Sequence, residues 1–283
     1  MIKRILVVLD PDADTPVATE TAFQIARRHD AELTGLALVD VTAIEGEAAG
    51  GGIGSMYFAE KLRQRLTDET REQARVLLTE FTDAADTAGV RHAGDHVGED
   101  GPVRNLIDDM RTHDLLVAGR ESHFYYADPE RRTHAMSKVI EAGAAATLLV
   151  GTLPLDVRRV LVAYDGSTAS AQAMQKFVHL SPFGTDITVE LLHVRESGDD
   201  ARRASTALLD GAREYFRAYG YTVEETSLEG GKPADRIVEY ADRQQADLVV
   251  SGAYTKTGLR RMMFGSAVTR LLQDCPSALF LYR

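Results

Sequence analysis

Two glycines and a serine near the C-terminus are spaced as in a loop that holds an anion. The segment from Ser251 to Val268 reads SGAYTKTGLRRMMFGSAV, in which Gly252 follows a short apolar run and Gly265 and Ser266 precede a helical pattern. The first N–H groups of a helix have no partner within the helix, and the helix dipole adds positive potential there. The segment therefore predicts a phosphate site, with the Ser266 hydroxyl as a further hydrogen-bond partner.

Positively charged side chains surround this predicted site in an otherwise acidic protein. Lys256, Arg260 and Arg261 lie within the loop, whereas the whole chain of 283 residues has a formal net charge of −11. That balance argues against nucleic acid or an anionic membrane as the main partner, because either needs a basic face. We therefore expect a small anionic ligand.

The chain contains two copies of one domain. The segment RILVVLD at Arg4–Asp10 returns as RVLVAYD at Arg159–Asp165, and further segments repeat in the same order. Self-similarity of this kind indicates tandem domains. We place them at residues 1–151 and 155–283, because Gly and Pro interrupt the apolar pattern between them.

Each copy alternates short strands with amphipathic helices. In the second copy Val160–Tyr164, Ile187–Val194 and Leu248–Ser251 are nearly continuous apolar runs, typical of strands covered on both faces. The order βαβαβαβαβ predicts an α/β fold in which each copy forms a doubly wound, parallel, five-stranded, Rossmann-like sheet. Ligands of such sheets lie at the carboxyl ends of the strands, where the strand order reverses. With the first and fourth strands adjacent, Asp165 and Gly252 face one crevice.

Three stretches of the second copy carry a family resemblance. VLVAYDGSTASAQAM, GGKPADRIVEYADRQQADLVVSG and GAYTKTGLRRMMFGSAVTRLL together resemble the universal stress protein family, and the whole chain is similar to its tandem form. In the nucleotide-binding branch of that family the last loop reads G-x2-G-x9-G-[S/T] and wraps ATP. Gly252, Gly265 and Ser266 match the first and third glycines and the hydroxyl residue. Thr255 stands at the second glycine, so either the backbone stays further from the phosphates or Gly258 takes that part.

The resemblance also implies roles for residues outside the loop. Asp165 would meet the adenosine end of the ligand, Val194 would help to wall the base, and Val268 would complete the phosphate loop. The implied cofactor of the second copy is ATP, with or without Mg²⁺. Family members pair through their last strands, so AATLLVG and SALFLYR are expected to pair within this chain, and the resemblance favours a homodimer of whole chains as well.

The first copy keeps the fold but lacks the loop. The positions that answer Gly265 and Ser266 are Thr133 and His134, so no glycine opens the corresponding helix. Asp10 is followed by PDAD, which adds carboxylates where phosphate would approach. We expect no nucleotide in this copy.

Other groups of residues are interpreted without a ligand. The glycine run within Glu45–Phe58 is read as a mobile insertion, because it does not join a strand to a helix as a dinucleotide motif must. The acidic group after the first strand is read as a solvated loop, since a cation needs converging oxygens that spacing cannot show. Scattered histidines are read as surface or core residues, so no metal site is expected. The acidic group is Asp10, Asp12 and Asp14, and the histidines are His92, His96, His113, His123 and His134.

The predicted function is a stress-response or signalling protein that binds ATP in its second copy. The sequence offers no recognisable Ser–His–Asp or Cys–His arrangement and no evident catalytic base, so little or no turnover is expected, at most weak ATP hydrolysis. The alternative is a nucleotide-free tandem protein that acts as an interaction platform, because Thr255 departs from the motif.

Cysteine usage and the N-terminus indicate a cytoplasmic protein. Cys275 is the single cysteine and reads as a small buried residue at a helix end. The apolar run in MIKRILVVLDPDAD is too short for a signal peptide or a membrane span.

Overall fold

The structure is a computed structural model that describes residues 1–38, 56–93, 96–98, 102–120, 129–253 and 266–283. In the first copy strands and helices alternate as predicted. They are β1 (Arg4–Leu9), α1 (Thr15–His29), β2 (Glu32–Leu38), α2 (Met56–Ala88), β3 (His96–Gly98), α3 (Pro102–Met110), β4 (Leu115–Gly119), α4 (Pro129–Ala142) and β5 (Ala146–Val150).

The second copy repeats this order. Its elements are β6 (Arg159–Ala163), α5 (Thr168–Leu180), β7 (Thr188–Arg195), α6 (Asp199–Ala218), β8 (Thr222–Glu229), α7 (Pro233–Gln244), β9 (Leu248–Gly252), α8 (Ser266–Asp274) and β10 (Ala278–Tyr282). Helix α2 has 33 residues and its counterpart α6 has 20, so the first copy has the longer helix after its second strand.

The two five-stranded halves join into one ten-stranded sheet. Its strand order is β3-β2-β1-β4-β5-β10-β9-β6-β7-β8. All pairs within a half are parallel, whereas β5 and β10 pair antiparallel, with Leu149 opposite Leu279 and Leu148 opposite Phe280. The predicted pairing of the two last strands is confirmed. The chain thus joins its two copies through their final strands.

The strands are buried on both faces, as their continuous apolar sequences predict. Alternate residues of β1 belong to different cores, with Val7 in one and Leu6 in the other. Helices α1, α2, α5 and α6 cover the first face, and α3, α4, α7 and α8 cover the second. Crossover helices on both faces are the arrangement of a doubly wound sheet.

Polar contacts tie the two halves together beside the strand pairing. The Arg120 guanidinium donates to the carbonyl oxygens of Cys275 and Ser277. In the opposite sense Arg283 donates to the Glu141 carbonyl at 2.7 Å. Each half therefore holds the C-terminal end of a helix that belongs to the other.

Two further expectations concern Cys275 and membrane spans. Cys275 is 1% exposed and follows helix α8 directly, so its prediction as a buried residue is confirmed, and burial raises the pKa of its thiol. Across the part of the chain that the structure describes, every helix is too short or too polar to cross a bilayer.

Candidate functional site

The strand order of the second copy reverses between β6 and β9. These strands are adjacent and parallel, with Val160 opposite Leu248 and Val162 opposite Val250, while β7 lies beyond β6 and β10 beyond β9. The predicted neighbourhood of the first and fourth strands is confirmed. Their carboxyl ends form the edge of the sheet at which ligands of this fold class bind.

Gly252, the last residue of β9, packs against the start of helix α5. A Cβ built on Gly252 would lie 2.5 Å from the carbonyl carbon of Ala169 and 2.7 Å from the nitrogen of Ser170. From the sequence, Gly252 is expected to belong to the loop that holds the anion. The structure gives another reason for a glycine at this position, since the backbone of α5 fills the space of the missing side chain.

Asp165 stands at the turn between β6 and α5. Its Oδ1 accepts a hydrogen bond from the Ser167 backbone N–H at 3.0 Å, and Ser167 caps the helix by accepting from the Ser170 N–H at 3.2 Å. Partial burial alone would raise the pKa of Asp165, but hydrogen bonds from Ser167 and Ser170 outweigh it and hold the pKa below its usual value. The carboxylate is therefore charged at neutral pH and can accept a hydrogen bond from a neutral donor.

Two residues near the end of β7 extend the crevice. Val194 is partly buried and packs against the core formed with α7 and α8. His193 points to the other face, where its Nδ1 lies 2.8 Å from the Ser205 hydroxyl, which in turn lies 2.8 Å from that of Ser227. Burial lowers the pKa of His193, although the nearby charge of Asp165 raises it.

Sequence reasoning missed His193. A histidine at the carboxyl end of an apolar strand, directly before Val194, was the available signal. Its bond to Ser205 fixes the ring, so this imidazole lies on the same edge of the sheet as Asp165 with a defined orientation.

Helix α8 begins at Ser266, directly after Gly265, as the sequence pattern predicts. Val268 is 1% exposed and its side chain packs in the core, so only its backbone N–H is available to a ligand. The intervening loop, residues 254–265 with Thr255 and Gly265, lies outside the described residues. The structure thus locates the helix start and the strand end on either side of the loop.

The chain matches one known protein family over most of its length. The family model described as the universal stress protein family matches residues 1–124 and again residues 156–283. The chain belongs to the universal stress protein family. Its two matches correspond to the two copies seen in the sequence and in the sheet.

Several similar proteins carry the name universal stress protein. A universal stress protein from Synechocystis sp. is 22% identical over 248 residues, which cover 85% of each chain. One from Methanocaldococcus jannaschii is 28% identical over 144 residues, 42% of this chain and 79% of the relative. A universal stress protein structure from Archaeoglobus fulgidus aligns with a TM-score of 0.69 at 18% identity, covering 99% of this chain and 96% of that one. That likeness shows the fold.

The first universal stress protein domain has a different crevice. Gly119 ends β4 as Gly252 ends β9, but a Cβ at Gly119 would overlap the carboxylate of Asp14. Asp14 is fully buried and Asp10 is 2% exposed. Asp10 accepts from the Thr15 hydroxyl at 2.8 Å and from the Asp12 N–H at 3.1 Å.

The reading of this acidic group as a solvated loop was therefore wrong for Asp10 and Asp14. The turn into α1 folds Asp10 inward, and the glycine at the end of β4 leaves room for Asp14. Compared with the second domain, Asp14 adds a buried carboxylate beside the end of β4, which opposes an anion by like charge.

Helix α4 also differs from its counterpart α8. It begins at Pro129, so Thr133 and His134 lie inside the helix and not at its start. The glycine run of residues 45–55 lies outside the described residues, and the end of that stretch, from Met56, already belongs to α2. His113, one of the scattered histidines, is a core residue whose ring bonds to Thr34 and to the Asp109 carbonyl.

Proposed function

We propose that the second universal stress protein domain binds an adenine nucleotide, ATP with or without Mg²⁺, in a stress-response or signalling role. The observation that carries the proposal is the charged Asp165 carboxylate beside the end of β9, on the edge where the strand order reverses. A carboxylate there suits the hydroxyl and amino donors of adenosine and repels phosphate. The Asp165 carboxylate would therefore orient the ligand in the crevice, with adenosine near it and the phosphates away from it.

The phosphate end has its own support. Helix α8 begins directly after Gly265 with a serine, and its first N–H groups are free of intrahelical partners by geometry. The sequence adds Lys256, Arg260 and Arg261 before that start. A ligand with a neutral, donor-rich end and a multiply charged anionic end matches both features, as ATP does.

Little or no turnover belongs to the proposal. Hydrolysis needs a group that activates or positions water. In the described part of this crevice the Asp165 carboxylate is bonded to the turn into α5, and the His193 Nδ1 is bonded to Ser205. The carboxylate is also assigned to the adenosine end of the ligand, away from the phosphates, which suits a binding protein better than a hydrolase.

The test is chromatography of the nucleotides released when freshly purified protein is denatured, followed by calorimetric titration with ATP. We expect adenine nucleotide in the released fraction and about one site per chain, because the helix after the fourth strand directly follows a glycine in the second domain but not in the first. Two equal sites would contradict the assignment to one domain. Absence of binding would favour the nucleotide-free interaction platform, which Thr255 in place of the motif glycine supports.

We also propose a cytoplasmic location and a homodimer of whole chains. The strand edge through which universal stress protein copies are expected to pair is already used inside the chain by β5 and β10. A homodimer would have to use another surface. Light scattering at several protein concentrations would measure the oligomeric state of the whole chain.

A further inference from the structure

A cavity of about 470 Å³ lies in the first domain between helices α1 and α2, at the carboxyl end of β1. Its inner surface is apolar, since Leu9, Phe23 and Phe81 line it and are each at most 3% exposed. The two phenyl rings pack together with centroids 5.9 Å apart. A volume of this size is typical of small-molecule sites, which are usually about 300–1,000 Å³.

The polar groups around this apolar floor are acidic. Four carboxylates line the cavity, Asp10 and Asp12 from the turn after β1, Glu20 from α1 and Glu80 from α2. Among its described lining residues there is no lysine, arginine or histidine. Glu20 also pairs with Arg27 at 3.1 Å, outside the lining. The cavity therefore combines an aromatic floor with carboxylates, of which Glu80 is exposed at the rim, Glu20 is paired with Arg27 and Asp10 is buried and hydrogen-bonded.

The second domain lacks two of these four carboxylates at the matching positions. The repeat that aligns Asp10 with Asp165 aligns Asp12 with Ser167 and Glu20 with Gln175. Asp12 and Glu20 are thus carboxylates of the first domain alone, and the same domain opposes phosphate through the buried Asp14.

We propose that this cavity binds a small organic cation, an aromatic or alkyl amine or a quaternary onium ion. The hydrocarbon part would lie over the floor of Leu9, Phe23 and Phe81 and against the more exposed Pro16 and Leu77, whose apolar surface would leave water. The carboxylates would attract the charge, and in a partly enclosed site this attraction is screened less than at an open surface. The inference does not depend on nucleotide binding by the other domain.

Calorimetric titration of the full chain with tetraphenylphosphonium tests the proposal, and tetraphenylborate is the matched probe of the same shape and opposite charge. We expect saturable binding of the cation at about one site per chain, and binding of the anion at least about tenfold weaker. Equal affinity for the two ions would show an apolar site without charge selection and would overturn the proposal. So would lack of cation binding.

Substitutions locate the site. Glu80→Gln changes an exposed side chain and is expected to weaken the cation about two- to fivefold, as an exposed ion pair would. Combined replacement of Asp12, Glu20 and Glu80 by Ser, Gln and Gln should weaken it by at least about tenfold. Asp83→Asn, which removes an exposed carboxylate of the same helix outside the cavity lining, is the control and should leave affinity unchanged.

Circular dichroism of each variant separates loss of binding from loss of fold. If the combined variant is folded and keeps wild-type affinity for the cation, the cavity is not its site. Gly265→Asp, aimed at the nucleotide loop, should retain cation binding, so failure of the nucleotide proposal and failure of this one give different results.

Discussion

The backbone of Ala169, in the first turn of α5, occupies the space that a side chain on Gly252 would need. The closest approach of a built Cβ to the Ala169 carbonyl carbon is 2.5 Å. Because Gly252 ends β9 and Ala169 follows the turn of Asp165, this contact sets the distance between the two sides of the crevice.

Gly252→Ala should therefore destabilise the protein and distort the crevice. Overpacking against backbone typically costs about 1–3 kcal/mol, since the helix has to move. Urea unfolding and ATP titration measure the two effects. Gly211→Ala is the matched control, because a Cβ on this exposed glycine of α6 meets nothing within 4 Å and should stabilise by up to about 1 kcal/mol. Equal effects of the two substitutions would contradict the packing argument.

Gly265→Asp should abolish ATP binding. The substitution adds a side chain and a negative charge directly before the start of α8, where the phosphates are proposed to lie. We expect affinity to fall by more than about a thousandfold, which corresponds to about 4.1 kcal/mol. Calorimetry measures the change. Thr133→Asp in the first domain is the control, and wild-type affinity in the Gly265 variant would place the ligand elsewhere.

Ser266→Ala should have a milder effect than Gly265→Asp. It deletes one hydroxyl but keeps the backbone N–H groups, and a single hydrogen bond is worth about 0.5–1.5 kcal/mol, or up to about 3 with a charged partner. An affinity loss beyond that range in calorimetry would mean that the serine has another part in the site.

Thr255→Gly tests the residue that departs from the family motif. If the threonine keeps the backbone away from the phosphates, glycine at this position should tighten ATP binding. Calorimetric titration of the Thr255→Gly variant with ATP measures this affinity. Unchanged affinity would show that Gly258 or another path of the loop already meets the need.

Acidification should destabilise the protein through the buried His113 and the half-buried His29 and His193. Burial lowers the pKa of His113, although the bond to the Asp109 carbonyl opposes the shift, and burial likewise lowers those of His29 and His193. The unfolded chain then takes up protons that the folded chain does not. Stability is thus complete above the unfolded pKa of about 6.5 and declines as the pH falls below it.

Urea unfolding at pH 7.5 and 5.5 measures this dependence. His113→Asn, which keeps a donor for the Asp109 carbonyl, should lower stability at pH 7.5 but reduce its loss on acidification. A wild-type protein that gained stability at pH 5.5 would contradict the sign of the argument.

Strand positions and their neighbours could be predicted from the sequence. The runs around Val160 and Leu248 are apolar on both faces, which identifies buried parallel strands, and the fold rules place them side by side. The pairing of β5 with β10 was implied by the family resemblance, and its antiparallel sense comes from the structure. The limits of the two domains, at residues 1–151 and 155–283, stay a prediction.

The site could be predicted less completely, because its details depend on tertiary packing. The local sequence PDAD does not show that Asp14 fills the space beside Gly119, which lies 105 residues further along the chain. The bond of His193 to Ser205 likewise joins a strand to the next helix. Such contacts follow from the assembled fold, whereas composition alone suggested exposed carboxylates.

The chain connection between β5 and β6 makes the association of the two domains through β5 and β10 unimolecular. Residues 151–158 connect Val150 to Arg159, and a connection this short keeps the partner at an effective concentration of about millimolar. Dilution that would separate two chains leaves this pair intact. In a symmetric dimer every mutation changes both subunits at once. Here each half can mutate alone, so one can lose its glycine loop and gain carboxylates while the other retains its loop.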